Sequence, residues 1–158
     1  MRRLADSLYL IVVTLWVGGL WAIGYISAPA LFANLPTDRM LAGALAGKQF
    51  ALMAWVGIAC AVYLLAYVGA RRGTAATRSI VGWLVLAMLL LTLAGHFGIQ
   101  PILAQLKAEA VAQAGAGDVM ESMVRERFRA WHGVAGMVYL IESLLGLALV
   151  LLQGRELR

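Results

Sequence analysis

The sequence predicts an all-α integral membrane protein, a four-helix bundle with a long outward-projecting hairpin between spans three and four. Residues 7–37, 49–70 and 79–106 contain no Asp, Glu, Lys or Arg, and residues 130–154 contain only Glu142. Each stretch reaches the roughly 20 residues that cross a hydrocarbon core about 30 Å thick. The stretches are continuously apolar rather than alternating, which indicates helices and not barrel strands. Overall, 63% of residues are hydrophobic and 13% are charged.

The chain of 158 residues is predicted to form a single transmembrane domain. Its four spans are expected over residues 8–28, 49–70, 79–101 and 131–153, with a short interfacial helix over residues 37–47. Span one is expected to break near Pro29, and Thr37 and Asp38 mark the next helix start. Span three is expected to bend near Pro101, because proline removes one helical hydrogen bond.

The connection between spans three and four is predicted to be helical and to stand above the membrane. Residues 79–106 would measure about 42 Å as a helix, which is longer than the bilayer core needs. Residues 114–117, Ala-Gly-Ala-Gly, form the expected turn. Asp118 and Glu121 have the spacing of a capping box, from which one helix can continue through span four.

The distribution of basic residues predicts that both termini are cytoplasmic and that the hairpin faces outward. Lys and Arg number seven on the terminal side and six on the hairpin side, which is a small difference. The first set lies in short tails and in the tight loop after Arg71 and Arg72, and such segments carry most weight in the positive-inside rule. The expected location is a multi-pass position in a bacterial inner membrane.

Glu142 is the most unusual residue, because it lies about 15 Å inside span four. A charge at that depth costs at least about 2.5–3.5 kcal/mol, so the carboxyl is expected to face the bundle and to be neutral. It could serve as a proton relay, an ion relay or a ligand. Alternatively, it could simply bond to a neighbouring helix at Thr92, Cys60 or Tyr63.

His96 and His132 form a second candidate site at the hairpin side of the membrane. If their helices pack as neighbours, the depths of the two residues differ by about one turn. They could bind haem or a transition metal such as copper, which makes both weak candidates for metal ligands. Alternatively, the imidazoles could hydrogen-bond to each other, to Gln100 or to the backbone.

Several function classes find no support in the sequence. The net charge of +5 comes from residues at span ends, so we expect no nucleic-acid binding. There is no phosphate loop, nucleophile elbow, Cys-x-x-Cys pair or catalytic triad, and we therefore expect no enzymatic activity. No cofactor is expected, with haem or copper as alternatives. The expected partners are the lipid bilayer and either a membrane protein or further copies of this chain.

Short motifs in span one carry a family resemblance. They are Trp-Val-Gly-Gly-Leu-Trp at residues 16–21 and Ala-Pro-Ala-Leu-Phe at residues 28–32. Together with residues 41–43, His96 and residues 128–132, they resemble a bacterial four-helix family of unknown function related to animal transmembrane protein 205. The resemblance implies four spans and an inner-membrane protein with no assigned activity.

Part of span one also resembles the copper-resistance D family and the small membrane protoporphyrinogen oxidases. Those families place a histidine about two turns before the tryptophan, and here that position is Tyr9. The resemblance therefore lacks the ligand on which haem or copper chemistry would depend.

Three functions follow from the sequence as hypotheses. The first is a non-enzymatic accessory or partner-binding subunit of unassigned activity. The second is a haem- or copper-linked membrane protein that uses His96 and His132. The third is a small proton-coupled transporter that uses Glu142.

Overall fold

The computed structural model describes residues 2–112 and 118–154, and these residues are almost entirely helical. The helices are α1 (Arg2–Trp21), α2 (Ala28–Asn34), α3 (Arg39–Arg72), α4 (Ile80–Leu93), α5 (Gln100–Ala112) and α6 (Asp118–Leu152). Two π-helical segments connect them, Ala22–Ser27 between α1 and α2 and Ala94–Ile99 between α4 and α5. A 3-10 segment, Gly73–Arg78, follows α3.

Four continuous helical stretches are long and apolar enough to cross a membrane. They are Arg3–Asn34, Arg39–Arg78, Ile80–Ala112 and Ser122–Leu152. No strand occurs in the described part of the chain. The predicted all-α fold with four membrane-spanning helices is therefore confirmed.

The four spans pack side by side in the order in which they occur along the chain. Helix α3 contacts α1 and α4, and α6 contacts α4 and α1, so the four spans close into a ring. Their shared core consists of residues from all four spans, with Trp16, Leu64, Met88 and Leu149 among the fully buried side chains. Many large apolar side chains on the outside are exposed, as a surrounding bilayer requires.

Side-chain caps define where two of the spans begin. The backbone N–H of Leu41 donates to Asp38 Oδ1 at 2.9 Å, which caps α3 as the sequence predicts. At the start of α4, the N–H of Gly82 donates to Ser79 Oγ at 3.1 Å. Between them, Gly73 ends α3 with a φ of 54°, a value that glycine adopts without steric cost.

A polar cluster ties the beginning of α1 to the end of α3. The Tyr67 hydroxyl donates to Asp6 Oδ1, and Arg71 Nη1 lies 3.7 Å from the same oxygen. The Arg71 guanidinium also lies 5.7 Å from the centre of the Tyr67 ring. One turn away, the Tyr63 hydroxyl donates to the Ala5 carbonyl at 3.3 Å. These contacts hold the first turns of α1 and the end of α3 close together.

The structure differs from the sequence prediction at Pro29, whereas the bend predicted near Pro101 stays a prediction. The expected break near Pro29 does not occur, because the helix continues through a π-helical segment into α2 and ends at Asn34. Pro101 likewise follows the second π-helical segment. In both places, the wider π turn precedes a residue that cannot donate the usual helical hydrogen bond.

The separate interfacial helix predicted over residues 37–47 is also absent. Helix α3 begins at Arg39 and continues without a break to Arg72, so these residues extend span two. The hairpin is helical on both sides, as predicted, through α5 to Ala112 and from Asp118 onward. The predicted turn at residues 114–117 and the side chains of the predicted capping box lie outside the described residues.

Candidate intramembrane polar site

All four spans contribute to one pocket at the level of the two π-helical segments. It has a volume of about 80 Å³ and is partly open to the surface. Most lining atoms are apolar, and Leu20, Phe50 and Met53 form one wall. The polar side chains come from α4, α5 and α6 and the second π-helical segment, namely Thr92, His96, Gln100, Tyr139 and Glu142. A cavity of this size can hold more than one water molecule.

Glu142 is buried in this pocket, with only 5% of its surface exposed. Its Oε1 lies 2.6 Å from Thr92 Oγ1, which joins α6 to α4. Thr92 is twelve residues past the start of α4, or about 18 Å, close to the middle of a hydrocarbon core. The carboxyl thus faces the other helices, and of the three partners that the sequence suggests, Thr92, Cys60 and Tyr63, it contacts Thr92.

The Thr92 hydroxyl has two oxygen neighbours and one hydrogen to donate. Besides Glu142 Oε1, it lies 3.0 Å from the Met88 carbonyl oxygen, which can only accept. A protonated Glu142 carboxyl satisfies both contacts, because it donates to Thr92 while Thr92 donates to Met88. An ionised carboxylate would compete with Met88 for the same hydrogen. The geometry therefore favours the neutral form of Glu142.

His96 lines the same pocket one turn from Thr92, within the second π-helical segment. The Trp55 ring packs edge-on to the imidazole with centroids 5.5 Å apart, and the Phe97 ring does so at 4.7 Å. The Nδ1 atom is buried and has no hydrogen-bond partner among the described residues. A buried polar atom of this kind needs water or a ligand to satisfy it.

Tyr139 closes the pocket on the side of α1. Its hydroxyl donates to the Leu20 carbonyl at 2.6 Å, two residues before the first π-helical segment. A methyl group at Gly24 would collide with the Tyr139 ring, so glycine is required for this close approach. The Phe50 ring packs edge-on against Tyr139 at 5.2 Å. Packing thus fixes the position of the Tyr139 side chain.

His132 is not among the residues that line the pocket. It is exposed and stacks on Phe128, with ring centroids 5.8 Å apart. With Thr92 opposite Glu142, the helical rise places His132 about 15 Å and His96 about 6 Å toward the hairpin. The two histidines therefore differ in depth by about 9 Å, rather than by the single turn that the sequence suggests.

The structure thus brings together three of the four candidate residues, Glu142, His96 and Gln100, and leaves out His132. No group of three His, Cys, Asp or Glu side chains that could hold a metal ion occurs in the part of the chain that the structure describes. Sequence reasoning missed Tyr139 and Met53 as pocket residues. Tyr139 precedes Glu142 by three residues, and this helical spacing is the signal that could have identified it.

Fold and site together define a small multi-pass membrane protein with a polar pocket between its spans. A family model described as a domain of unknown function (DUF4149) matches residues 11–112. This match covers well over half of the chain, which belongs to that family. It includes Thr92, His96 and Gln100, whereas Glu142 lies in α6 beyond the matched residues. Neither the curated proteins nor the solved structures contain a significant match.

Proposed function

We propose that this is a small inner-membrane protein without enzymatic activity of its own, and that it acts by reversible protonation of Glu142. The observation that carries the proposal is the buried Glu142 carboxyl in a pocket that can admit water. Intramembrane carboxyls are costly and characteristically serve proton or ion pathways. The protonation state of Glu142 would couple to the movement of a small solute or to the state of a partner protein.

Of the three functions that the sequence suggests, proton coupling fits the pocket best. Thr92 gives Glu142 a hydrogen-bond partner in the neutral form, and His96 adds a second titratable group to the same cavity. The pocket contains no Lys or Arg that would hold the carboxylate permanently ionised. A carboxyl in these surroundings can change charge, and a change of charge inside the membrane is a strong driving force for rearrangement.

A membrane-permeant carbodiimide tests this function, because it reacts with protonated carboxyls. At neutral pH we expect Glu142 to become labelled in the intact protein, with a rate that falls as the pH is raised. The Glu142→Gln variant should lose the label. Glu109, which is exposed and lies 4.0 Å from Arg127, provides the control, since Glu109→Gln should label like the wild type. A labelling rate at Glu142 that does not depend on pH would contradict the proposal.

The accessory-subunit function remains a second candidate, and one surface feature favours it. Trp55 and Phe97 are each 56% exposed, and their rings pack against each other at 6.0 Å beside His96. A helix of a membrane-protein partner, or a second copy of this chain, could pack on these aromatic rings next to the pocket. In that case, protonation of Glu142 would be sensed by the partner.

The haem- or copper-linked function has less support from the geometry. His96 and His132 differ in depth and contact different aromatic side chains. Tyr9, at the position where the copper-resistance D family places a histidine, is buried against the Tyr67 ring with centroids 4.7 Å apart. An absorption spectrum and metal analysis of the purified protein test this alternative directly, since a Soret band would establish haem.

The relation to animal transmembrane protein 205 and the orientation in the membrane also remain proposals. The first rests on the short motifs of span one and on His96. The second rests on the basic residues of the short tails and of the loop after Arg71 and Arg72, since the positive-inside rule favours the cytoplasm for such segments.

A further inference from the structure

We propose that protons reach Glu142 from the hairpin side of the membrane by a proton path along span three that includes His96 and Gln100. We call the row of polar residues Thr92, His96 and Gln100 the polar ladder. The inference rests on the proposed function, since it supplies the route for the same carboxyl. The residues of this path line the pocket described above. Their order along span three gives the path a direction, from the hairpin side to Glu142.

The ladder follows from the spacing of polar residues along span three. Thr92, His96 and Gln100 are four residues apart, and all three line the pocket. Each step rises about 6 Å toward the hairpin, so the ladder covers about 12 Å. It begins at the Glu142 carboxyl, which contacts Thr92, and ends at the first residue of α5.

His96 is the group on this ladder that can carry a proton. An imidazole can both accept and donate a proton, and the buried Nδ1 of His96 has no hydrogen-bond partner among the described residues. The edge-on rings of Trp55 and Phe97 hold the imidazole in place. The cavity of about 80 Å³, which both the imidazole and the carboxyl line, is large enough for a water molecule.

The transfer needs no other reactant. The imidazolium of His96 gives one proton to a water molecule, and that water passes one of its own protons to the Glu142 carboxylate. Neutral His96 then takes up one proton from the bulk solvent through water near Gln100, so that the net change is one solvent proton bound to Glu142. The reverse sequence releases the proton to the same side. The other titratable group that lines the pocket is Tyr139, whose hydroxyl is bonded to Leu20, and α1 and α3 contribute no titratable side chain to the lining.

In the opposite direction from Glu142, buried side chains from all four spans lie beyond the pocket. On each span, a large apolar or aromatic side chain beyond the pocket and away from the hairpin is fully buried, and Ser143 is a buried polar residue among them. Fully buried examples, one from each span, are Trp16, Leu64, Met88 and Leu149. A proton on Glu142 therefore exchanges with one side of the membrane, and delivery to the other side requires a rearrangement of the helices.

Infrared spectroscopy of the full-length protein in detergent tests the ladder. The carbonyl stretch of the protonated Glu142 carboxyl, assigned by its loss in Glu142→Gln, shifts when D₂O replaces H₂O. We expect His96→Ala to slow this shift about tenfold or more, because the proton carrier is lost. Imidazole added to the solvent should restore the rate in His96→Ala. The matched control is His132→Ala, which removes a histidine outside the pocket and should exchange like the wild type.

The outcomes separate this inference from the function on which it rests. If His96→Ala keeps the carbonyl band and exchanges at the wild-type rate, protons reach Glu142 by another route and the ladder is wrong. If exchange slows but imidazole does not restore it, the loss is structural, and the carrier role of His96 is refuted. If the wild type lacks a protonated Glu142 band at every pH, the proposed function itself fails.

Discussion

Replacing Thr92 with valine is expected to lower the free energy of unfolding by about 1–2 kcal/mol, because it removes the side chain that hydrogen-bonds the buried Glu142 carboxyl. The reciprocal substitution, Glu142→Leu, is expected to lower the free energy of unfolding by less. In Glu142→Leu, Thr92 still donates to the Met88 carbonyl at 3.0 Å, so no buried polar group is left unsatisfied. Stability should then stay within about 1 kcal/mol of the wild type, because the cost of losing a buried hydrogen bond comes mainly from the group that is left unsatisfied.

Thr92→Val should also have almost no effect in the Glu142→Leu background. Unfolding in mixed detergent micelles measures all four members of this double-mutant cycle. Thr14→Val is the matched control, since Thr14 donates to the Leu10 carbonyl at 2.8 Å but is exposed. That variant should unfold like the wild type. If Thr92→Val lowers the free energy of unfolding equally in the wild type and in Glu142→Leu, the Thr92 and Glu142 side chains are not coupled.

A cysteine introduced at Val111 should react fully with an impermeant thiol reagent in intact cells, and one introduced at Thr74 should not react. Both positions are exposed, Val111 near the end of α5 and Thr74 in the loop after α3. The expectation follows from the Arg71 and Arg72 side chains beside Thr74, which the positive-inside rule places in the cytoplasm.

The native Cys60 is buried in the core and should be replaced by alanine in both variants, so that the introduced thiol alone can react. Membrane permeabilisation provides the control, after which the Thr74 variant should label as well. Labelling at Thr74 and not at Val111 in intact cells would invert the orientation. The polar ladder would then open to the cytoplasm.

The sequence was sufficient to predict the features that depend on one helix at a time. The lengths of the uncharged stretches indicated four spans, and the depth of Glu142 implied a buried carboxyl with a partner on another helix. Thr92 was one of three partners at comparable depth. Only the packing distinguishes it from Cys60, which lies in the core, and from Tyr63, which bonds to the Ala5 carbonyl.

Features that depend on the rotation of one helix against another could not be predicted. Tyr139 reaches the Leu20 carbonyl because Gly24 lets the two helices approach closely. The pairing of His96 with His132 was inferred from their position at the same end of the spans. Two residues at the same end of the spans can still face different neighbours, because the sequence does not show how each helix is rotated about its own axis. The π-helical segments before Pro29 and Pro101 add a local change of rotation that a regular 3.6-residue period does not include.

The most direct test of reversible protonation at Glu142 is an infrared titration of the purified protein, compared with Glu142→Gln. The difference spectrum isolates one carboxyl, and we expect a protonated carbonyl stretch at neutral pH. Raising the pH should convert this band to a carboxylate signal, and lowering the pH should restore it. Glu109→Gln should leave this behaviour unchanged. A Glu142 signal that is carboxylate at every pH, or protonated at every pH, would contradict the proposed function.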